Sequence, residues 1–410
     1  MYESSADAEE FAVSIVKRLR SAGFYALWAG GCVRDRLLGR PPKDFDVATN
    51  ATPQQVRAVF GSRKTLAIGE AFGVVAVFHG RNQPPVEVAT FRKDATYSDG
   101  RHPDSVSFSS AEEDAKRRDF TINGMFYDPI DRRVIDYVGG QRDLKDGVIR
   151  CIGDSQQRFS EDRLRMLRAV RFATIFKFQL EGETLRAIQS NARHIHVVSA
   201  ERIASELRRM FSHENVAIAT ELLSESGLRQ ELLPELSDNQ WTQGARIIAA
   251  CSPPTFESSC AALLLANTAI DLVNRVSARW KLSNTERAKI ASLVQHESSI
   301  RVAHSEPWPK IQRILIEQDA DDLVSFAEAV ATYRKESLFG IEFCRKKLAL
   351  PSNRLNPLPL LTGDDLTAAG ISPGPIFKTI LNEIRDQQLN EQIETKAEAM
   401  KLAVSIAQKS

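Results

Sequence analysis

Cysteine is scarce. The 410 residues hold five, at positions 32, 151, 251, 260 and 344, an odd number with no C-x-x-C pair. That excludes a disulfide framework and a zinc ribbon, and reads as reduced thiols in a cytoplasmic protein. No apolar run approaches the length that spans a bilayer, so no membrane partner is expected. The acidic N-terminus has no cation followed by an apolar stretch, so no signal peptide is expected either. No G-x-x-x-x-G-K-[ST] loop occurs, which excludes P-loop chemistry in that form. No repeat of fixed period stands out. The net charge is only +1, so bulk charge announces no nucleic acid, and any basic surface must be local. What remains is ordinary for a globular chain: 43% apolar, 26% charged, and long enough for two to four domains.

The richest stretch is Leu27 to Thr49, LWAGGCVRDRLLGRPPKDFDVAT. It reads as strand, glycine turn, helix, short loop, strand. Asp44 and Asp46 stand two residues apart on the second strand, where alternation points both the same way. Two neighbouring carboxylates repel unless a cation lies between them, and hard oxygen ligands suit Mg²⁺. Gly30 and Gly31 let backbone N–H groups approach an anion just before a helix N-terminus. Phosphate and metal handling this close together points to nucleotide chemistry.

Around this stretch, Asp7 and Glu10 have capping-box spacing, and Phe11, Ile15, Val16 and Leu19 follow helical spacing over residues 7–20. Gly23 ends that helix, and Tyr25 to Ala29 is the first strand. Thr52 and Pro53 read as N-cap and first helical residue of a helix that runs to Phe60. Val74–Phe78 and Val86–Phe91 read as paired strands. Glu87 lies mid-strand within VEVATF, either facing outward or serving as a third acid. Residues 93–107 read as a loop between strand and helix, and Arg117–Asp128, RRDFTINGMFYD, mixes apolar anchors with Arg118, Asp119 and Asn123. Residues 134–149 read as a closing strand and turn.

A second helix is expected over residues 160–172, SEDRLRMLRAVRF, with Ser160 as N-cap. Asp162, Arg165, Arg168 and Arg171 recur every three residues on one drifting face. An Asp and an Arg one turn apart make a donor-acceptor edge. Asp162 could accept from the amino group of cytosine or adenine while Arg165 donates to the ring acceptor. Arg168 and Arg171 would face the triphosphate or pack between helices.

The GG-x-VRD-x-LLG and D-x-D pattern resembles the opening motif of the class II tRNA nucleotidyltransferase and bacterial poly(A) polymerase family. The resemblance runs from about residue 10 to 215 and more faintly beyond. It implies an α+β fold, a nucleotidyltransferase head like that of DNA polymerase beta with a small mixed sheet, followed by all-helical neck, body and tail. The boundaries expected are 1–150 head, 151–215 neck, 216–350 body and 351–410 tail. Asp44 and Asp46 would hold Mg²⁺, with Glu87 completing the catalytic acids. Gly30, Gly31, Arg34 and Arg118 would meet the triphosphate, and Asp119 and Asn123 the ribose. The helix at 160–172 resembles the family's protein template for choosing C or A, through Asp162, Arg165, Arg168 and Arg171. The implied partners are tRNA, CTP and ATP, and no protein partner is inferred. The implied activity is addition of CCA to the tRNA 3′ end.

Gly124 departs from the alanine or serine expected in the second motif. Ser199 is expected to cap SAERIASELRRMF, with Glu201 and Arg202 as structural ties. His194 and His196 read as ordinary packing. Helical patterns follow at 217–223, 243–250, 261–272, 285–296 and 321–333, then a proline-marked linker at 351–359 and a helical hairpin at 361–377. The absence of a His-Asp dipeptide argues against the phosphohydrolase domain fused to some relatives. Residues 68–73 lack the basic pair common in poly(A) polymerases. Adenosine-only addition, poly(A) synthesis and a non-catalytic RNA-binding descendant remain as alternatives.

Overall fold

The structure is a computed structural model in which residues 5–69, 73–80, 84–94, 106–265 and 270–409 are described. The chain forms two compact units, Met1–Glu235 and Leu236–Ser410.

In the first unit, α1 (Ser5–Ser21) precedes β1 (Ala26–Ala29), α2 (Gly31–Leu37), β2 (Asp46–Thr49) and α3 (Pro53–Phe60). The strands β3 (Thr65–Gly69), β4 (Val74–Val77), β5 (Val86–Thr90), β6 (Arg92–Asp94) and β7 (Val106–Phe108) follow. Then come α4 (Ala111–Lys116), β8 (Phe126–Asp128), β9 (Arg133–Ile135), α5 (Gly140–Asp146) and β10 (Val148–Ile149). The unit closes with α6 (Ser155–Glu161), α7 (Leu164–Phe176), β11 (Gln179–Leu180), α8 (Gly182–Asn191), α9 (Ala200–Phe211), α10 (Val216–Glu225) and α11 (Leu228–Leu232).

A seven-stranded mixed sheet, in the order β3-β4-β5-β2-β1-β8-β9, is the frame. Only β2 and β5 run parallel within it. The expected small mixed sheet is therefore present. Ile15, Val16 and Leu19 of α1 are fully buried, as their spacing predicts. Leu27, Ala29, Ala48, Phe91 and Phe126 pack with Ala111 and Ala115 of α4 into one core cluster. Thr52 caps α3 in a capping box with Gln55, and Pro53 opens the helix.

Several boundaries differ from the sequence expectation, each for a local reason. Asp7 lies inside α1, which begins at Ser5, so its carboxylate meets the positive end of the helix without being its cap. Residues 134–149 hold a helix as well as a strand. Asp136 accepts from the N–H groups of Val138, Gly140 and Gln141 and so starts α5. The expected single helix at 160–172 is two, because Asp154 caps α6 and Asp162 breaks the chain in extended geometry before α7. Ser160 is an interior residue of α6, not a cap. The core of the expected loop at 93–107, residues 95–105, lies outside the described residues. Its flanks pair as the β6–β7 ribbon.

The second unit is helical throughout its described residues: α12 (Asp238–Ala250), α13 (Phe256–Leu264), α14 (Ile270–Arg279), α15 (Asn284–Arg301), α16 (Trp308–Leu315) and α17 (Ala320–Arg334). They are followed by α18 (Phe339–Leu348), α19 (Ser352–Leu355), α20 (Gly363–Ala368), α21 (Pro375–Leu389) and α22 (Lys396–Lys409). The pattern at 261–272 covers the end of α13 and the start of α14, and residues 266–269 between them lie outside the described residues. Gly244 of α12 lets that helix close on α13, since a Cβ there would stand 2.8 Å from the Leu263 Cα. The linker at 351–359 is strapped by α16 and α21. Gln312 donates to the Leu355 carbonyl at 3.0 Å, and Arg385 to that of Pro357 at 2.7 Å. Leu366, Ile380, Ile384, Ala399 and Ala403 give α20–α22 a small core. No helix among the described residues is long and apolar enough to cross a membrane.

Candidate active site

The acid pair is set by the residue between its members. Phe45 is buried and its ring centroid lies 4.8 Å from that of Trp28, so the flanking Asp44 and Asp46 turn outward. Asp46 is the first residue of β2, while Asp44 sits in the bend just before it rather than on the strand. The parallel pairing of β2 and β5 puts Glu87 directly beside Asp46 in register. Neighbouring strands lie about 4.8 Å apart, so the two carboxylates share a face. The structure thus brings Glu87 to the acid pair.

Loss of surrounding water, then the charges of Asp44 and Glu87, push the Asp46 carboxyl up to about 6, against the pull of Arg118. Arg118 does not offset the burial and the two neighbouring acids. Among the described residues no group of three or more His, Cys, Asp or Glu is drawn tightly enough to cage a metal by itself. Mg²⁺ uses one or two carboxylates and completes its shell with water and substrate phosphates. The donor set at Asp44 and Asp46 fits such an ion.

The glycine turn stands over these acids. Gly30 has φ +73°, which favours glycine, and Arg118 Nη1 lies 2.9 Å from where a Cβ would stand. Arg118 is held by Asp114, whose Oδ2 accepts from Nη2 at 2.9 Å. Burial works against the Asp114 charge, but Arg118 and Arg117 hold its pKa below the usual range.

A second network joins the head to α7. Arg34 donates to Asn123 Oδ1 at 2.6 Å, Asn123 donates to Asp119 Oδ1 at 3.2 Å, and Arg168 donates to Asp119 Oδ2 at 2.6 Å. Burial alone would raise the Asp119 pKa, but Arg168 and Asn123 bring it down to about 2. Arg34 also lies over two aromatic rings of α7, 4.6 Å from the Phe176 centroid and 5.4 Å from that of Phe172. These rings stack with an interplanar angle of 10°. Sequence reasoning missed Phe176. The signal was its i+4 spacing from Phe172, which places two rings on one helical face.

The remaining arginines divide. Arg171 is buried and donates to Glu206 of α9, so it takes the packing role and not the phosphate-facing one. Arg165 donates to Glu161 at 2.6 Å and to the Arg158 carbonyl at 3.0 Å. Asp162 accepts from Leu164 N–H at 3.0 Å and from Arg202 at 2.7 Å. Asp162 and Arg165 therefore do not lie on one continuous helix as expected. They flank the α6–α7 break, each oriented by another side chain. Arg202 is the structural tie its motif suggests. His196 faces Glu231 at 2.9 Å, and His194 accepts from Arg193.

Gly124 also has a reason. A Cβ there would meet Val138 at 2.7 Å and Ile152 at 2.9 Å, so those side chains fill the space an alanine would need.

Acids at the head of adjacent strands, a glycine turn with a guanidinium above it, and an arginine-lined helix alongside make a site for handling nucleoside phosphates. Family models agree in detail. That for the poly(A) polymerase head domain matches residues 26–150. That for the probable RNA- and SrmB-binding site of polymerase A matches 177–239, and that for domain 2 of tRNA nucleotidyltransferase, described as putative, matches 254–404. The CCA-adding enzyme of Geobacillus stearothermophilus is 33% identical over 390 residues, 94% of each chain. Poly(A) polymerase I of Escherichia coli O157:H7 is 41% identical over 252 residues, covering 57% of this chain and 52% of the relative. The crystal structure of the Bacillus stearothermophilus CCA-adding enzyme in complex with CTP matches over the whole of both chains, with 30% identity and a TM-score of 0.75. The chain belongs to the tRNA nucleotidyltransferase and poly(A) polymerase family.

Proposed function

We propose that this chain is a tRNA nucleotidyltransferase that adds CCA to the tRNA 3′ end from CTP and ATP, without a nucleic-acid template, releasing pyrophosphate. The carrying observation is the in-register pairing of Asp46 with Glu87 beside Asp44, under the Gly30–Arg118 turn. The full-length likeness to CCA-adding enzymes supports the same substrates. Asp44 and Asp46 would hold two Mg²⁺ ions, which when bound activate the primer 3′-hydroxyl and neutralise the leaving pyrophosphate. Gly31 offers its backbone N–H to the phosphates, whereas that of Gly30 is taken by the Met125 carbonyl at 3.2 Å, and Arg34 and Arg118 supply fixed positive charge. Asp119 and Asn123 are already oriented towards one another and suit a ribose hydroxyl. Asp162 and Arg165 read the base edge at the α6–α7 break, and Arg168 anchors that helix to the head through Asp119. The four-part division into head, neck, body and tail at 150, 215 and 350 belongs to this reading.

The test is to incubate the protein with tRNA ending before CCA, in C and in CC, with CTP, ATP or both, and to size the products. Stepwise extension to a single CCA end is the expected result. Extension only of the CC-ending substrate would indicate adenosine-only addition. A long adenosine ladder would indicate a poly(A) polymerase, and no extension would sink the catalytic reading.

A further inference from the structure

Net charge near neutrality means that any grip on a polyanion must be local, and one uncompensated cluster stands out in the first unit. Arg40 and Lys43 lie on the loop between α2 and β2, three residues apart, and Lys43 directly precedes Asp44. Lys177 terminates α7. All three side chains are exposed, and none forms an ion pair among the described residues.

One ring contact ties Arg40 to the end of α7. The Arg40 guanidinium lies 5.3 Å over the ring of Phe176, the residue before Lys177. On the other side, Asn215 donates to the Thr174 carbonyl at 3.2 Å and to His213 Nδ1 from its backbone at the same distance. His213 thereby sits at the end of α7 as well. Burial lowers the His213 pKa, Glu214 opposes this, and Arg40, Lys177 and Lys43 lower it further, as expected where positive charge accumulates. Glu214 is the acid that acts on His213, and Asp44 adjoins Lys43 in the chain. A guanidinium held against a ring face keeps its charge and can still donate N–H groups to phosphate oxygens.

We propose that Arg40, Lys43 and Lys177 form a landing surface for the phosphodiester backbone of the RNA strand being extended, close to its 3′ end. This rests on the transferase reading, because the cluster is attached to the loop that carries Asp44. Nucleotide phosphates are served by Arg34, Arg118 and the glycine turn, so the exposed cluster is left for the polymer.

The experiment uses full-length protein with Arg40, Lys43 and Lys177 all changed to Gln, and Lys43→Gln alone in case the triple variant unfolds. Affinity for tRNA lacking CCA is measured without nucleotide across 50–300 mM KCl, and the KM for CTP is measured separately at saturating tRNA. Each cation–phosphate pairing removed should reduce the slope of log K against log salt by about 0.7–0.9, so the triple variant should lose roughly two units. The single variant should lose about one such increment, and the KM for CTP should stay within about twofold of wild type. An unchanged slope with a lower melting temperature would mean that the cations merely complement the α7 C-terminus, and would overturn the proposal. An unchanged slope with a raised KM for CTP would reassign the cluster to the triphosphate. Binding is read without turnover. A wild-type protein that binds tRNA but incorporates nothing would therefore sink the transferase reading and leave the slope comparison intact.

Discussion

The two units bury different things. The first hides Arg34, Asp114, Asp128, Asp143, Arg165, Arg171, Glu206 and Arg229, whereas Glu297 is the one buried charged side chain among the described residues of the second. The second unit instead closes its helices economically, with capping boxes at Ser237, Thr255, Ser283 and Thr362. Burying a charge is expensive unless it is paired and hydrogen-bonded. A region that does so repeatedly is holding polar groups ready at fixed positions, at some cost in stability. The second unit needs only to keep its shape.

That contrast can be broken most sharply at the acids. Asp44→Ala should lower turnover roughly a thousandfold, the loss of several kcal/mol of transition-state stabilisation, while tRNA affinity stays near wild type. Retained turnover in single-turnover assays would refute the metal assignment. Next in size is a matched pair of stability tests. Glu206→Ala strands Arg171 in the interior and should cost about 3–5 kcal/mol in denaturant unfolding. Glu297→Ala leaves Arg301 its second partner, Glu336, and should cost clearly less. Equal losses would erase the distinction between the units.

A smaller effect is expected at the reading groups. Arg165→Ala should blunt the preference for CTP and ATP over UTP and GTP by about 1–3 kcal/mol, roughly 5- to 150-fold in relative kcat/KM. Unchanged discrimination would remove Arg165 from base reading. The smallest is a pH effect. Because the Asp46 pKa is raised to about 6, its neutral form favours the folded state, and that contribution is lost as pH rises from near 4 through 6. Asp46→Asn should therefore raise the melting temperature at pH 8 in EDTA, with little change at pH 4. Mg²⁺ should narrow the gap at pH 8 by neutralising the wild-type acids.

Much of the head is readable because its signals are local. The glycine turn, the capped start at Thr52 and the apolar spacing of α1 each follow from a few adjacent residues. Asp44, Asp46 and Glu87 stand out singly, but their apposition depends on a parallel pairing across the sheet that no local pattern encodes. The break between α6 and α7 is hidden because 160–172 keeps helical spacing across it, while Asp154 and Asp162 reset the ends. The partners of Arg165 and Arg171 lie on other helices or on the preceding turn. Charge spacing along one face identifies the arginines, not where each one reaches.

The lone parallel pairing in the sheet carries one more consequence. Asp46 and Glu87 can meet only after the intervening helix and hairpin have been laid down and the later strand has been inserted beside the earlier one. Closing such a distant pairing is entropically slow compared with forming neighbouring hairpins. A nascent or partly assembled head would hold the ingredients of its chemistry far apart, and the chain would be inert until its topology was complete.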